Sequence, residues 1–149
     1  MSVAYDVFKG AFLAKITEYD LAELEDESLN VLADGYMTRA MVAFGKVCRY
    51  DLITTRDDEE RVFNVDIADE DLDEIVDIVS EGMVVQWLKP YVYRQEMLEL
   101  VLNTKDYTTY SSSELLLRVG GAYQKAQNDF KQMVFAYTYD HRDQTQYHI

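Results

Sequence analysis

Carboxylates are the most abundant side chains in this sequence that could take part in chemistry. Twelve of its 28 acidic residues lie between Asp57 and Glu81, with Arg56 at the edge of this block and Arg61 inside it. Paired carboxylates provide the hard oxygen ligands that Mg²⁺ and Ca²⁺ prefer, but the block has no Asp-x-Asp-x-Asp-Gly loop. We therefore interpret it as a solvated or interface-forming surface and expect no metal site. Four of its acids share a helical face that is expected to meet water: Glu70, Asp73, Asp77 and Glu81.

Two short acidic motifs suggest one enzymatic alternative. All-helical nucleotide pyrophosphatases hold Mg²⁺ between two Glu-x-x-Glu/Asp pairs on facing helices, and Glu74 with Asp77 and Glu96 with Glu99 have this spacing. The order of the pairs is reversed relative to those enzymes, and no basic cluster is available for the phosphates. A Mg²⁺-dependent hydrolase is therefore only an alternative. The main expectation is a protein that is not an enzyme, with no catalytic residue and no cofactor.

The two histidines and the single cysteine are weaker candidates for chemistry. His141 and His148 lack the i, i+4 spacing of a helical zinc site. Cys48 has no second cysteine to pair with and adjoins the apolar Val47 at the end of a predicted helix. We therefore expect surface histidines and a buried structural thiol.

Tyrosine is unusually frequent, with twelve in the chain. Its side chain combines a large contact area with one polar group and is enriched in protein interfaces. We expect the tyrosines and histidines of the C-terminal part to contact other subunits or partners. The candidates are Tyr107, Tyr110, Tyr139, His141, Tyr147 and His148.

Length, charge and hydropathy restrict the class of protein. A chain of 149 residues with 48% hydrophobic residues can bury the core of one domain. Its net charge of -14 repels nucleic-acid phosphates and anionic lipids. No apolar stretch approaches the roughly 18 residues that a membrane span requires. We therefore expect a single cytosolic domain that neither binds DNA through its phosphates nor enters a membrane.

The elements that carry these residues follow from the apolar spacing. One helix is predicted over residues 2–19, and a second runs from the capping residue Ser28 to about Arg49. The predicted apolar face of this second helix consists of Leu29, Leu32, Tyr36, Ala40, Phe44 and Val47. Periodicity is then lost over residues 50–68, which predicts a loop followed by a short extended piece. Because no second strand is evident, that piece is expected to pair only with a neighbouring subunit.

Two longer helices are predicted in the second half. The third starts near Asp69, with acids in its first turn, and is expected to bend or to divide at Pro90. The last helix follows the capping serines 111–113. Its apolar residues form a heptad seam that one partner helix must cover: Leu116, Val119, Tyr123, Ala126, Phe130, Met133 and Tyr137.

The predicted fold class is therefore all-α. It is a bundle of four to five helices with a bent helix at Pro90, a long C-terminal helix and an irregular or short β segment around residues 50–68. Residues 1–140 are expected to form a single domain, and residues 141–149 a flexible or partner-ordered tail.

This order of elements resembles that of the small head-to-tail connector proteins of tailed bacteriophages, also described as neck, adaptor or head-completion proteins. The resemblance lies in YDVFKGAFLAKITEYD, residues 5–20, and in DIADEDLDEIVDIVSEGMVVQWLKPYVYRQEMLELVLNTKDYTTYSSSELLLRVGGAYQKAQNDFKQM, residues 66–133. It covers most of the chain but depends on overall pattern and has no diagnostic motif.

The resemblance implies a structural virion protein, made in the host cytoplasm and located in the neck. Many copies, about twelve in that family, would form a homo-oligomeric ring that binds the portal protein and receives the tail or a further neck protein. DNA would pass through the ring without specific binding, because an acidic wall does not hold it. Glu70, Asp73, Asp77 and Glu81 would be candidates for the channel-facing acids, and no catalytic residues would transfer.

A second alternative comes from a different class of function. An acidic protein can imitate DNA and inhibit a nucleic-acid enzyme, with carboxylates in place of phosphates. Such a mimic distributes its acids over an elongated surface, whereas here they concentrate between Asp57 and Glu81. The connector is therefore the leading hypothesis.

Overall fold

The computed structural model describes the backbone of residues 2–16, 26–105 and 110–141, and the side chains of residues 2–16, 30–90, 92 and 120–141. Within these ranges the chain is mostly helical and also contains a small antiparallel sheet, in broad agreement with the all-α prediction. The helices are α1 (Tyr5–Ile16), α2 (Asp26–Phe44), α3 (Asp69–Lys105) and α4 (Tyr110–Asp140), and the strands are β1 (Val3–Ala4), β2 (Arg56–Asp57) and β3 (Val62–Phe63).

Helix α1 buries the stripe that its sequence predicts. Tyr5, Phe8, Phe12 and Ile16 are all nearly inaccessible to solvent, as expected for apolar residues three and four positions apart on one helical face. The helix begins three residues later than predicted, because Val3 and Ala4 form a strand instead. Its predicted end at residue 19 lies outside the described residues.

The sheet contradicts the prediction that the extended piece pairs only with a neighbouring subunit. Strand β3 lies between the other two strands of the same chain, and both pairings are antiparallel. Phe63 is fully buried, and its ring contacts those of Tyr5 and Phe8 in α1. Two-residue strands have no detectable alternation, so only contacts between distant parts of the chain reveal them.

Helix α3 is the central helix of the described bundle. It starts at Asp69, as predicted, and continues through Pro90 to Lys105, so the division into two helices is wrong and a bend at Pro90 stays a prediction. Residues 78–88 are buried on nearly all sides because α1, α2 and α4 each pack against this helix. No helix in the described ranges combines the length and apolar character needed to cross a bilayer.

Helix α4 packs its seam mainly against α3. The prediction of one partner helix is incomplete, because the seam residue Tyr137 also packs against Phe44 of α2. Ala126 and Tyr137 are buried, and the other three described seam residues lie half-buried against the core. The side chains of Leu116 and Val119 lie outside the described residues. The serines 111–113 lie inside the helix and not before it, since α4 begins at Tyr110.

Gly82 allows the three helices to approach one another closely. A Cβ atom at this position would lie 2.8 Å from the Cβ of Ala40 in α2 and 2.8 Å from the ring of Phe130 in α4. Both distances are too short for carbon atoms in van der Waals contact. The glycine in the middle of α3 is therefore required by packing, although it lowers the intrinsic helix propensity.

The Gly82→Ala variant is expected to lower the free energy of unfolding by about 1–3 kcal/mol, because the added methyl group overpacks a filled core. Gly10→Ala in α1 is the matched control, since its Cβ would meet nothing within 4 Å. That variant should gain about 0.5–1 kcal/mol from helix propensity. Denaturant unfolding of both variants measures the difference, and equal gains in stability would contradict the close approach.

Candidate functional surfaces

Many of the carboxylates around the small sheet bind groups of their own chain. Asp51 and Asp57 accept hydrogen bonds from backbone amides two and three residues ahead, and these bonds fix the turns on either side of β2. Hydrogen bonds from Thr54 lower the pKa of the Asp51 carboxyl. Asp58 and Asp71 accept hydrogen bonds from the phenols of Tyr5 and Tyr50, at 2.8 Å and 2.5 Å. Three acids of the block, Asp57, Asp58 and Asp71, therefore bind groups of their own chain, as does Asp51 just before it.

Arg61, the only basic residue inside the block, joins α1 and α2 to the sheet. Its Nε and a terminal nitrogen donate to the two carboxylate oxygens of Asp34 at 2.7 Å and 2.8 Å, and its other terminal nitrogen donates to Asp6 at 2.8 Å. Its carbonyl accepts a hydrogen bond from the backbone amide of Tyr5. This two-point contact is the strongest geometry for an arginine and a carboxylate.

The environment of Arg61 shows how firmly this contact is held. The hydrogen bonds that Arg61 donates to Asp34 raise the pKa of its guanidinium, and the one it donates to Asp6 lowers the pKa of that carboxyl. Arg61 also has a positive φ of 55°, which is uncommon for a residue other than glycine. The surrounding ion pairs stabilise this backbone conformation.

The phenol of Tyr137 lies inside the bundle. Tyr137 is almost fully buried, accepts a hydrogen bond from the amide of Arg49 and donates one to the thiol of Cys48. Burial raises the pKa of Tyr137 and of Cys48. The half-buried Cys48 is therefore a poor nucleophile, in line with the structural thiol that its sequence context predicts.

The four acids predicted to share a water-facing stripe differ in their surroundings. Glu70 and Asp73 are exposed and form no ion pair with a described residue. Asp77 and Glu81 both contact the ammonium group of Lys15 in α1, at 2.9 Å and 3.0 Å. The first turns of α3 therefore present acids to solvent, whereas the last two acids of the stripe connect α3 to α1.

A groove lies beside this ion pair, between α1, α3 and α4. Its volume is about 700 Å³, and it is lined by apolar residues together with charged groups of both signs, such as Lys15, Lys125 and Asp129. Within the described residues no three His, Cys, Asp or Glu side chains are placed to hold a metal ion.

The two acidic pairs of the hydrolase alternative both lie on α3. Glu74 and Glu96 are separated by about 33 Å along a straight helix, at about 1.5 Å per residue. The side chains of Glu96 and Glu99 lie outside the described residues. The two pairs therefore lie on one continuous helix and not on two facing helices of the same chain.

The predicted partner contacts are described only in part. His141 binds within its own chain: its ring stacks on Tyr137 at 4.2 Å and its Nε2 lies 3.1 Å from a carboxylate oxygen of Glu74. Tyr139 is mostly exposed beside the exposed Phe135. The side chain of Tyr110, and all of Tyr107, Tyr147 and His148, lie outside the described residues. The interface role of these residues stays a prediction.

Helix α2 exposes a face that its sequence pattern did not indicate. Val31, Leu32, Val42 and Val47 are exposed, with 75% of Val31 and 60% of Val42 accessible, and the buried residues are instead Ala33, Met37, Ala40, Met41 and Phe44. The predicted apolar face is therefore wrong at Leu32 and at Val47, which lies past the end of the helix at Phe44, and right at Ala40 and Phe44. Tyr36 is half-buried against the core, and the side chain of Leu29 lies outside the described residues. Arg39 in α2 and, just after this helix, Lys46 and Arg49 are also exposed and form no ion pair with a described acid. In the sequence, this exposed surface is indicated only by the basic residues that stand between the valines.

The Arg61→Met variant is expected to lower the free energy of unfolding by about 2 kcal/mol at pH 7, because two carboxylates lose charged hydrogen bonds. Arg56→Met is the matched control, since its more exposed ion pair with Asp58 is worth about 0–1 kcal/mol. Denaturant unfolding of both variants checks this difference.

The stability difference between wild type and Arg61→Met is also expected to depend on pH. A lowered folded-state pKa for Asp6 stabilises the fold above the ordinary value of 3.8, and this contribution is lost as the pH falls through the folded-state pKa. The stability difference between wild type and Arg61→Met should therefore shrink below about pH 4. A difference that stays constant down to pH 2 would contradict the role of Asp6.

Comparison with known proteins leaves the chain without a relative from which a role could be carried over. No protein-family model, no curated protein and no solved structure matches it. Its functional interpretation therefore depends on the acidic face of α3, on the exposed face of α2 and on the order of its elements.

Proposed function

We propose that this chain is a structural virion protein of a tailed phage, forming a ring in the neck between portal and tail. The ring extends the DNA channel, binds the portal protein on one side and receives the tail or a further neck protein on the other. In this role the chain has no catalytic residue, no metal and no cofactor, and its site of action is the assembled virion.

The observation that carries the proposal is the exposed acidic start of α3. Asp69, Glu70 and Asp73 project into solvent from a helix whose middle is fixed by three other helices. A channel wall of this kind repels phosphates and so lets DNA move past without being held. Glu70 and Asp73 are the preferred channel-facing residues, because Asp77 and Glu81 already contact Lys15.

The distribution of charge favours this role over imitation of DNA. A mimic needs carboxylates that are free to replace phosphates along an extended surface. Here Asp6, Asp34, Asp51, Asp57 and Asp58 accept hydrogen bonds from their own chain. Only part of the negative charge is thus available to another protein. This favours a local acidic surface over the extended one that a DNA mimic needs.

The finer features of the predicted fold belong to the same proposal. Helix α3 bends at Pro90, because proline removes a backbone donor inside the helix. Contacts with neighbouring components involve Tyr107, Tyr110, Tyr139, Tyr147 and His148.

The test uses the purified chain and the portal protein encoded in the same phage genome. Electron microscopy of the mixture is expected to show closed rings of the chain seated on portal rings. Lysozyme at the same concentration is the negative control, and it should form no such layer on the portal rings. A chain that remains monomeric and unattached at all concentrations, with and without portal protein, would overturn the proposal.

Nucleotide hydrolysis provides the second arm of this test. The proposal predicts no Mg²⁺-dependent release of pyrophosphate from nucleoside triphosphates above the level of a Glu74→Gln variant. Turnover that disappears in Glu74→Gln would replace the structural role with an enzymatic one.

A further inference from the structure

We propose that residues 142–149, which follow α4, dock in the groove between α1, α3 and α4 of their own chain. This is the groove lined by Lys15, Lys125 and Asp129 together with apolar residues. The segment has the sequence RDQTQYHI and lies outside the described residues. Docking takes place within one chain, so it goes beyond the proposed function and needs no ring.

The groove offers an apolar floor to this segment. Its apolar lining includes alanines of α4, whose small side chains keep that wall low: Val84, Ala122, Ala126, Met133 and Ala136. Its volume of about 700 Å³ lies within the range of roughly 300–1,000 Å³ that is typical of sites enclosing a ligand. A short peptide segment with one or two large side chains fits this space, and Tyr147 and Ile149 are such side chains.

The two ends of the groove differ in charge. Toward the end of α4 the groove continues into a smaller cavity of about 170 Å³, which is lined by Glu74, Asp77 and Asp140. Asp77 lines both spaces, and Lys125 lies near the opposite end of the groove. Arg142, the first residue of the segment, brings a positive charge to the acidic end. Attraction between opposite charges therefore favours entry of the segment from this end.

The last described residue brings the chain to this acidic end. The ring of His141 stacks on Tyr137 with centroids 4.2 Å apart, and its Nε2 lies 3.1 Å from a carboxylate oxygen of Glu74. Its backbone amide donates a hydrogen bond to the carbonyl of Tyr137 at 2.9 Å. Glu74 and Tyr137 both line the smaller cavity. The segment therefore starts from a fixed point beside the acidic end of the groove.

The segment is long enough to follow the groove. Ala136 and Ala122, near the two ends of its α4 side, are fourteen residues apart in the sequence. At about 1.5 Å per residue this separation is about 21 Å. Eight extended residues span up to about 26–29 Å. The segment can therefore reverse its direction after His141 and still reach the far half of the groove.

The covalent connection favours the segment of the same chain over that of a second copy. A short connection holds a ligand near its site at an effective concentration in the millimolar range. Segments of other copies, present at micromolar concentration, compete about a thousandfold less well. The position of the groove beside the end of α4 thus decides which copy of the segment occupies it.

Docking describes the free subunit. The proposed function places Tyr147 and His148 in contacts with neighbouring components, and these side chains cannot lie in the groove at the same time. Assembly therefore has to draw the segment out of the groove. Until then the segment covers an apolar surface that would otherwise be open to other proteins.

A spin label on the segment tests docking in the free subunit. A nitroxide is attached to Gln146→Cys, and methyl signals of the isotope-labelled chain are recorded by NMR with the nitroxide oxidised and then reduced. The reaction is selective for the new thiol, because burial raises the pKa of the half-buried Cys48. The methyl signal of Ala122, in the far half of the groove, should lose about half of its intensity or more, since the tether keeps the docked form populated.

The methyl signals of Val31 are the matched internal control. Val31 is exposed on α2, nine residues before Ala40, and Ala122 lies eight residues before Phe130 on α4. Ala40 and Phe130 both meet the Cβ position of Gly82, and both helices run toward the start of α3. The two methyl sites therefore lie at about the same height on different sides of the bundle. Equal broadening of both signals would mean that the segment does not dock, and would overturn the proposal.

Two further substitutions in the spin-labelled chain test the groove itself. Arg142→Glu brings a negative charge to the acidic end, and Ala136→Trp fills part of the groove from an exposed position. Each should return the Ala122 signal to the level of the internal control. Arg39→Glu and Ala43→Trp make the same two changes at exposed positions of α2 and should leave the broadening unchanged. Because residue 142 follows the last described residue of the bundle, Arg142→Glu should also leave thermal unfolding unchanged. Broadening that persists in either groove variant would overturn the proposal.

A mixture of two chains separates docking within a chain from docking between chains. One chain carries the isotope label without the nitroxide, and the other carries the nitroxide without the isotope label. No broadening of Ala122 beyond that of Val31 is expected in this mixture. Broadening as strong as in the doubly labelled chain would assign the groove to a second copy and overturn the proposal. Portal protein is absent from all these samples, so docking can fail while rings on portal protein still support the neck function, and the reverse also holds.

Discussion

The burial of the middle of α3 on all sides determines the arrangement of the rest of the molecule. Three helices can surround this segment because Gly82 leaves space for Ala40 on one side and Phe130 on another. Their packing buries the large apolar side chains of the described bundle, including Trp87 against Phe12. As a consequence, the acid-rich first turns of α3 extend beyond its buried middle, and α2 is left with one uncovered side.

Charge has two separate roles in this chain. Around the sheet, carboxylates accept hydrogen bonds from backbone amides, phenols and Arg61. These bonds hold together a region whose two-residue strands bury little apolar surface. At the start of α3, carboxylates have no described partner and remain available to solvent or to another chain. The same residue type thus stabilises the fold in one region and stays exposed to solvent in the other.

Features with a regular local spacing could be predicted from sequence. The buried stripe of α1, the start of α3 at Asp69 and the seam of α4 depend on repeats of three and four residues that any amphipathic helix must show. Contacts between distant residues could not be predicted in this way. The pairing of β3 with β1 and the contact of Arg61 with Asp34 join residues that are far apart in sequence. On α2, two overlapping stripes share Ala40 and Phe44, and only packing decides that Met37 is buried and Leu32 is exposed.

The central claim is that copies of this chain form a ring whose channel is lined by the exposed acids at the start of α3. Electron cryo-microscopy of the ring on portal protein measures this most directly, because it locates each helix relative to the channel axis. The account predicts that Glu70 and Asp73 lie at the channel wall and that residues 78–88 lie inside the subunit. A ring in which both acids lie on its outer surface, or a chain that forms no ring, would contradict it.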